Sequence, residues 1–188
     1  RRIAAAGDLF WERQSFSYYR EMRWRMATLL DTEAIAMIYN EGIKDRIATF
    51  ETRPRTADDI EKWFDGVHPI VVVESEGEVI AFAATSTYRP RACYAGVAEL
   101  SVYVKREVRG RGAGRMALDA IIHTAREAGF WKLLSRIFVE NESSRALIRK
   151  CGFREVGIYE KHARLDGIWR DVVIVERLLL TTNLPARE

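Results

Sequence analysis

The chain has 188 residues, 48% of them apolar and 30% charged, which suits one globular domain and excludes a low-complexity or disordered chain. Its net charge of +3 is too small a bias for a dedicated nucleic-acid binder but suits an anionic small ligand. No apolar run reaches the roughly 18 residues of a membrane span, so neither nucleic acid nor membrane is an expected partner.

The opening RRIAAAGDLFWER is interrupted by Asp8, Glu12 and Arg13, so it does not read as a signal peptide. Residues 1–21 read as an N-terminal extension, with Phe10, Trp11, Phe16, Tyr18 and Tyr19 in no clean period. A domain then runs over residues 22–180, and 181–188 form a tail. Cys93 and Cys151 are the only cysteines, which points to a reduced, cytoplasmic protein while leaving one disulfide open. His68, His123 and His162 lack metal-ligand spacing, so no metal is expected.

The domain opens with a short strand, 22-MRWRMATLL-30. Asp31 then reads as the cap of a helix with Ile35, Ile38 and Tyr39 on one face. Residues 46–54 form a loop or short strand ending at Pro54. Thr56 and Asp59 have capping-box spacing and start a second helix toward Ile60, Trp63 and Phe64. A hairpin follows, 70–74 with 79–88, turned at Gly77. Next come a strand at 97–104, a glycine-rich loop and an amphipathic helix over 113–128 closed by Gly129. A strand at 133–139, a short helix at 143–151 closed by Gly152, and strands at 155–163 and 172–179 around a Gly167 turn complete the chain. This order predicts a mixed α/β sheet, not a doubly wound one.

The loop is the informative stretch. Arg109-x-x-Gly112-x-Gly114 follows a strand and opens a helix, and Gly110 adds a third permissive position. The first N–H groups of a helix lack partners and carry partial positive charge, so the loop is an anion cradle. Arg109, Arg111 and Arg115 add full charges. The kinase-type loop is excluded because 112-GAGRMA-117 has no Gly-Lys-Ser/Thr. The dinucleotide fingerprint lacks its last glycine and should sit in a first βαβ unit. A plain glycine-rich turn remains the modest reading.

Strand, Arg-x-x-Gly-x-Gly, then helix resembles the signature of the GNAT acetyltransferase superfamily. The run 141-NESSRALIRKCGF-153 resembles the family's second segment. Four stretches resemble the phosphinothricin acetyltransferase branch: 48-ATFETRPRT-56, 88-YRPRACY-94, 97-VAELSVYV-104 and 166-DGIWRDV-172. The resemblance implies a GNAT fold: a central, mostly antiparallel twisted sheet flanked by helices, with a V-shaped splay between the strands at 97–104 and 133–139. It implies acetyl-CoA as cosubstrate, its pyrophosphate in the cradle, with Val102, Val104, Arg109, Gly110, Arg111, Gly112, Ala113, Gly114, Arg115, Asn141 and Ser144 on the cofactor side. It implies an acceptor that is a small amino acid with an anionic or polar side chain, of phosphinothricin, arsinothricin, methionine sulfoximine or methionine sulfone type. It also implies a homodimer, with Trp169 in the final hairpin either closing the neighbouring subunit's pocket or serving as a core residue.

The chemistry agrees. An amine is mostly protonated at neutral pH and needs a base before it can attack a thioester. Glu99, one of few charges in the strand 97–104, is the expected base, because a carboxylate kept from water holds a proton more readily. A rim carboxylate paired with an arginine such as Arg91 is the modest alternative. Arg89 and Arg91, around Pro90, are expected to grip the acceptor's anionic group. Phe50 and Tyr94 match pocket positions. The resemblance also implies a bulge near Ser101–Tyr103 that frees a backbone N–H for the oxyanion.

One residue departs from the pattern. Ile148 stands where many members place a tyrosine acid, so either Tyr103 or water protonates the thiolate, or the thiolate leaves unprotonated. Two other readings stay open: acetylation of peptide or ribosomal-protein N-termini, and an acyl-CoA sensor without chemistry.

Overall fold

The structure is a computed structural model that describes residues 21–179, so the readings for 1–20 and 180–188 lie outside the described residues. Seven strands form one sheet in the order β1-β2-β3-β4-β5-β7-β6. They are β1 Arg23–Met26, β2 Ile70–Ser75, β3 Glu78–Thr87, β4 Val97–Val104, β5 Lys132–Phe138, β6 Arg154–Leu165 and β7 Ile168–Leu178. The helices are α1 Thr32–Asp45, α2 Ala57–Glu61, α3 Ala113–Glu127 and α4 Glu142–Lys150.

Only β4 and β5 run parallel; every other pair is antiparallel, as the sequence predicts. The parallel pairing covers just Val97–Lys132, Ala98–Leu133 and Glu99–Leu134. Beyond Glu99 the two strands part. That is the expected splay.

Helices cover both faces. The α3 and α4 side holds the larger core, with Val71, Ala81, Leu100, Leu118, Ile121 and Val173 buried together. The α1 and α2 side packs Ile35, Ile38, Ile60, Val72 and Phe82. Strict alternation in β2 and β3 explains this, since each strand is buried on both faces.

Two local expectations change. Asp31 takes the first position before α1 but does not cap it. Its carboxylate accepts N–H bonds from Thr28 and from Arg25 (2.7 Å each). The Thr56–Asp59 capping box forms, with N–H to oxygen distances of 3.3 and 3.2 Å. Its helix stops at Glu61, short of Trp63 and Phe64, which turn into the smaller core.

Candidate active site

The glycine loop leaves β4 and enters α3. Val108 anchors it in the core at 1% exposure. Gly110 (φ 77°) and Gly112 (φ 99°) hold left-handed backbone that a side chain would strain. A Cβ on Gly114 would lie 3.1 Å from Val104 and 3.2 Å from Leu147, so this glycine lets α3 approach β4 and α4. No side chain caps α3, so its first amides face outward with their partial charge unanswered. The geometry fits a phosphate group.

Arg109 does not point at that cradle. Its guanidinium donates to the Val104 carbonyl at 3.0 Å and to Asp45 at 2.6 Å. Asp45 also accepts from the Arg106 side chain, and Glu41 accepts the Arg106 backbone N–H at 2.6 Å. Arg109 thus buttresses the loop, with its side chain 41% exposed. Arg115, half exposed at the rim, pairs with Asp119 at 2.7 Å.

A cavity of about 450 Å³ fills the splay. Glu99, Ser101, Val102 and Tyr103 line it from β4, and Ser135, Arg136 and Phe138 from β5. Thr49, Phe50 and Glu51 come from the α1–α2 loop, Asn141, Ser144 and Ile148 from α4 and the residue before it, and His162 from β6. The cavity thus reaches from one face of the sheet to the other, because the missing β4–β5 pairs leave a gap.

Glu99 sits at the closed end of the V. Its side chain is 24% exposed, not stripped of water. Its partner is Arg136, not Arg91: the guanidinium Nε donates at 2.9 Å, and a second, shorter bond comes from the same group.

The expected bulge is absent from the β3–β4 pairing, whose register runs unshifted from Ala81–Val104 to Thr87–Ala98. The splay, however, leaves β4 backbone groups without β5 strand partners beyond Glu99. Lys105 N–H bonds the Ile80 carbonyl, so odd-numbered β4 residues pair with β3 and even-numbered ones face β5. Where β5 has veered away, Val102 turns its peptide group toward the cavity.

Tyr103 stacks on Phe82 at 5.4 Å and meets Tyr39 edge-on at 4.8 Å. Its hydroxyl donates to the Ala48 carbonyl at 3.4 Å. Burial pushes the phenol well above the ordinary tyrosine range. Its ring nevertheless lines the cavity described above.

Asn141 spends its amide inside the protein. Its oxygen accepts the Ser144 N–H at 3.1 Å, capping α4, and its nitrogen donates to the Ile47 carbonyl at 3.0 Å. It fixes the α1–α2 loop against α4. Ile148 is 3% exposed and offers the cavity only hydrocarbon.

Phe50 lines the cavity, edge-on to Phe138 at 4.7 Å. Arg89, Arg91 and Tyr94 do not line it. Arg89 lies over the Tyr88 ring at 5.2 Å and Arg91 over Tyr94 at 6.0 Å, both arginines exposed. The β3–β4 connection leaves from the zipped end of the V, so these charges stay in water.

Two residues missed by the sequence reading enter instead. Arg136 is the cavity's sole arginine or lysine among the described residues. His162 arrives through an irregularity in β6: Tyr159 pairs with Val172 and Ala163 with Arg170, so three β6 residues face Asp171 alone. Asp171 holds the bulge by accepting the Lys161 N–H at 2.7 Å, with Lys161 at φ 47°. A lone arginine inside LLSRIFV was a visible signal; the bulge was not.

Among the described residues there is no group of three metal-ligating side chains and no helix long and apolar enough to cross a membrane.

Comparison with known proteins extends the geometry. The sequence profile of the Acetyltransferase (GNAT) family matches residues 35–153. The chain is 31% identical over 157 residues to the L-methionine sulfoximine/L-methionine sulfone acetyltransferase of Pseudomonas paraeruginosa, covering 81% of this chain and 91% of that one. It superposes with a TM-score of 0.78 on a phosphinothricin acetyltransferase from Sinorhizobium meliloti in complex with AcCoA, at 30% identity over 84% of this chain and 88% of the other. A ribosomal-protein-alanine N-acetyltransferase from Brucella melitensis gives a TM-score of 0.79 at 31% identity, over 83% and 99%. The glycine cradle, the splayed sheet and these matches together make the chain a member of the GNAT acetyltransferase family.

Proposed function

We propose that the protein moves the acetyl group of acetyl-CoA to the α-amino group of a small amino acid with an anionic or strongly polar side chain. One juxtaposition carries the reading. The cradle lies at the open end of β4 and Glu99 near its other end, five residues away, or about 16 Å along a strand. An extended pantetheine arm covers that distance.

Acetyl-CoA supplies an activated thioester. The protein supplies positioning, a base and a donor. The uncapped amides of α3 hold the diphosphate, and the splay seats the arm between β4 and β5. Glu99 takes the ammonium proton, directly or through water, and frees the amine to attack. The Val102 N–H receives the developing oxyanion. With Ile148 offering no proton and Tyr103 holding its own, water protonates the thiolate, a fair leaving group because thiol pKa values lie near 8.5.

The relatives named for methionine sulfone and phosphinothricin support this acceptor class, as does the cavity's modest volume of about 450 Å³. A second reading, acetylation of ribosomal-protein N-termini, draws on the Brucella neighbour. A thiol-release assay with acetyl-CoA separates them: turnover with methionine sulfone or phosphinothricin supports the first, and turnover only with an alanine-terminated peptide supports the second. Glu99→Gln is expected to lower kcat/KM by roughly 10²- to 10⁴-fold. Unchanged turnover would remove Glu99 as base. Tight acetyl-CoA binding without turnover on any amine would favour a sensor.

Pairing of two copies through the β6–β7 face belongs to the same proposal. Val156, Ile158, Tyr159, Ile168 and Trp169 are all exposed there. Light scattering on the purified protein decides it. The two free thiols suit a reducing, cytoplasmic setting.

A further inference from the structure

We propose that Arg136 is the receptor for the acceptor's α-carboxylate and that the Glu99–Arg136 pair, as a unit, selects a zwitterion. The inference rests on the acetyl-transfer reading for the identity of the site, but not for the recognition itself.

Three observations carry it. Arg136 is the sole arginine or lysine among the cavity-lining residues described, so an anion entering this cavity has one guanidinium to meet. Both bonds from that guanidinium end on one oxygen, Glu99 Oε1. A free α-amino acid carries an ammonium and a carboxylate on one carbon, and a carboxylate beside a guanidinium is its mirror in charge. The bound acceptor places its ammonium at Glu99 and its carboxylate at Arg136, which trades one ion pair for two. Arg136 can make that exchange because its side chain is 45% exposed and its planar fork suits a carboxylate.

The arrangement also explains how Glu99 acts as a base. With Arg136 bound to Glu99, both guanidinium bonds occupy the carboxylate oxygen that an ammonium would approach. Once Arg136 turns to the acceptor's carboxylate, Glu99 is left facing the ammonium. A plain primary amine lacks the group that draws Arg136 off. Peptide N-termini lack it too, since their first residue carries an amide there.

The test is calorimetry with coenzyme A present, using methionine sulfone, its methyl ester, and 3-(methylsulfonyl)propan-1-amine, which lacks the carboxylate. Wild type is expected to bind the amino acid roughly 10- to 100-fold more tightly than either carboxylate-free probe, the range of a charge-assisted hydrogen bond. Arg136→Gln is expected to reduce that preference to within about threefold, and Arg136→Lys to restore part of it, because a point charge cannot donate in parallel. A wild type that binds acid and ester alike overturns the inference without any variant. So does a folded Arg136→Gln protein that keeps the preference. A thiol-release assay run alongside separates the two claims. Carboxylate preference with no acetyl transfer would uphold Arg136 and sink the reaction proposed above; transfer with no preference would do the reverse.

Discussion

Asp45, the last residue of α1, holds Arg109, the first residue of the glycine motif, at 2.6 Å. Asp45 also reaches Arg106 at 2.5 Å, so one carboxylate gathers two arginines of the loop. The pairing ties the acceptor side of the protein, where α1 and its following loop stand, to the cofactor side.

Removing that tie should loosen the cradle. Asp45→Ala is expected to raise the KM for acetyl-CoA about tenfold, the scale of a lost charge-assisted bond, with little change in acceptor KM. Steady-state kinetics at fixed saturating acceptor would show it. A lower KM would mean that freed Arg109 serves the phosphate better, and the buttress role would fall.

Gly112→Ala should impair the same loop by another route. Its φ of 99° would strain an alanine by about 1–2 kcal/mol. Acetyl-CoA affinity is expected to drop, measured by calorimetry, with a modest fall in melting temperature. Gly157→Ala is the control: a Cβ there meets nothing within 4 Å, and stability should move by less than about 0.5 kcal/mol.

The β1–β2 edge predicts a pH dependence. Arg25 bonds Asp31 twice at 2.7 Å and Glu74 at 2.6 Å, while both acids are buried. Arg25 holds both carboxyls below the usual range. Depressed carboxyl pKa values add stability above their unfolded values, near 4, and that contribution disappears as pH falls through the folded ones. In Arg25→Leu both acids lose this cation and ionise at a cost. The stability gap between wild type and variant should be small in acid, grow as pH rises past about 4, and reach about 1–3 kcal/mol near neutrality, since Arg25 is 38% exposed and Glu74 keeps Arg23. Urea melts at several pH values would measure it. A gap that ignores pH would refute the ionic account.

The cysteines should react unequally. Cys93 is exposed, whereas Cys151 is 3% exposed and burial pushes its thiol up to about 11. Ellman's reagent at pH 8 is expected to label one thiol in the native protein and the second only after denaturation. Two fast equivalents would contradict the burial of Cys151.

Much of this architecture is legible locally. Capping-box spacing at Thr56 and Asp59, glycines after Ala128 and Cys151, and the apolar runs of β3 and β4 each act within a few residues, so the sequence displays them. The extent of α2 is not legible, because Trp63 and Phe64 gain more by turning into the core beside Tyr39 and Phe82 than by extending a turn of helix.

The site divides in the same way. The sequence by itself determined the cradle, since positive φ at Gly110 and Gly112 and an uncapped helix start are local backbone properties. It also marked Glu99 as a charge in an apolar strand. Only the tertiary structure decided who meets Glu99. Arg136 lies 37 residues away and Arg91 only 8, but β5 runs beside β4 while the 88–94 connection leaves by the closed end. Side-chain partners across a sheet are fixed by which strands become neighbours and where their pairing stops, and neither is written in any short stretch of chain.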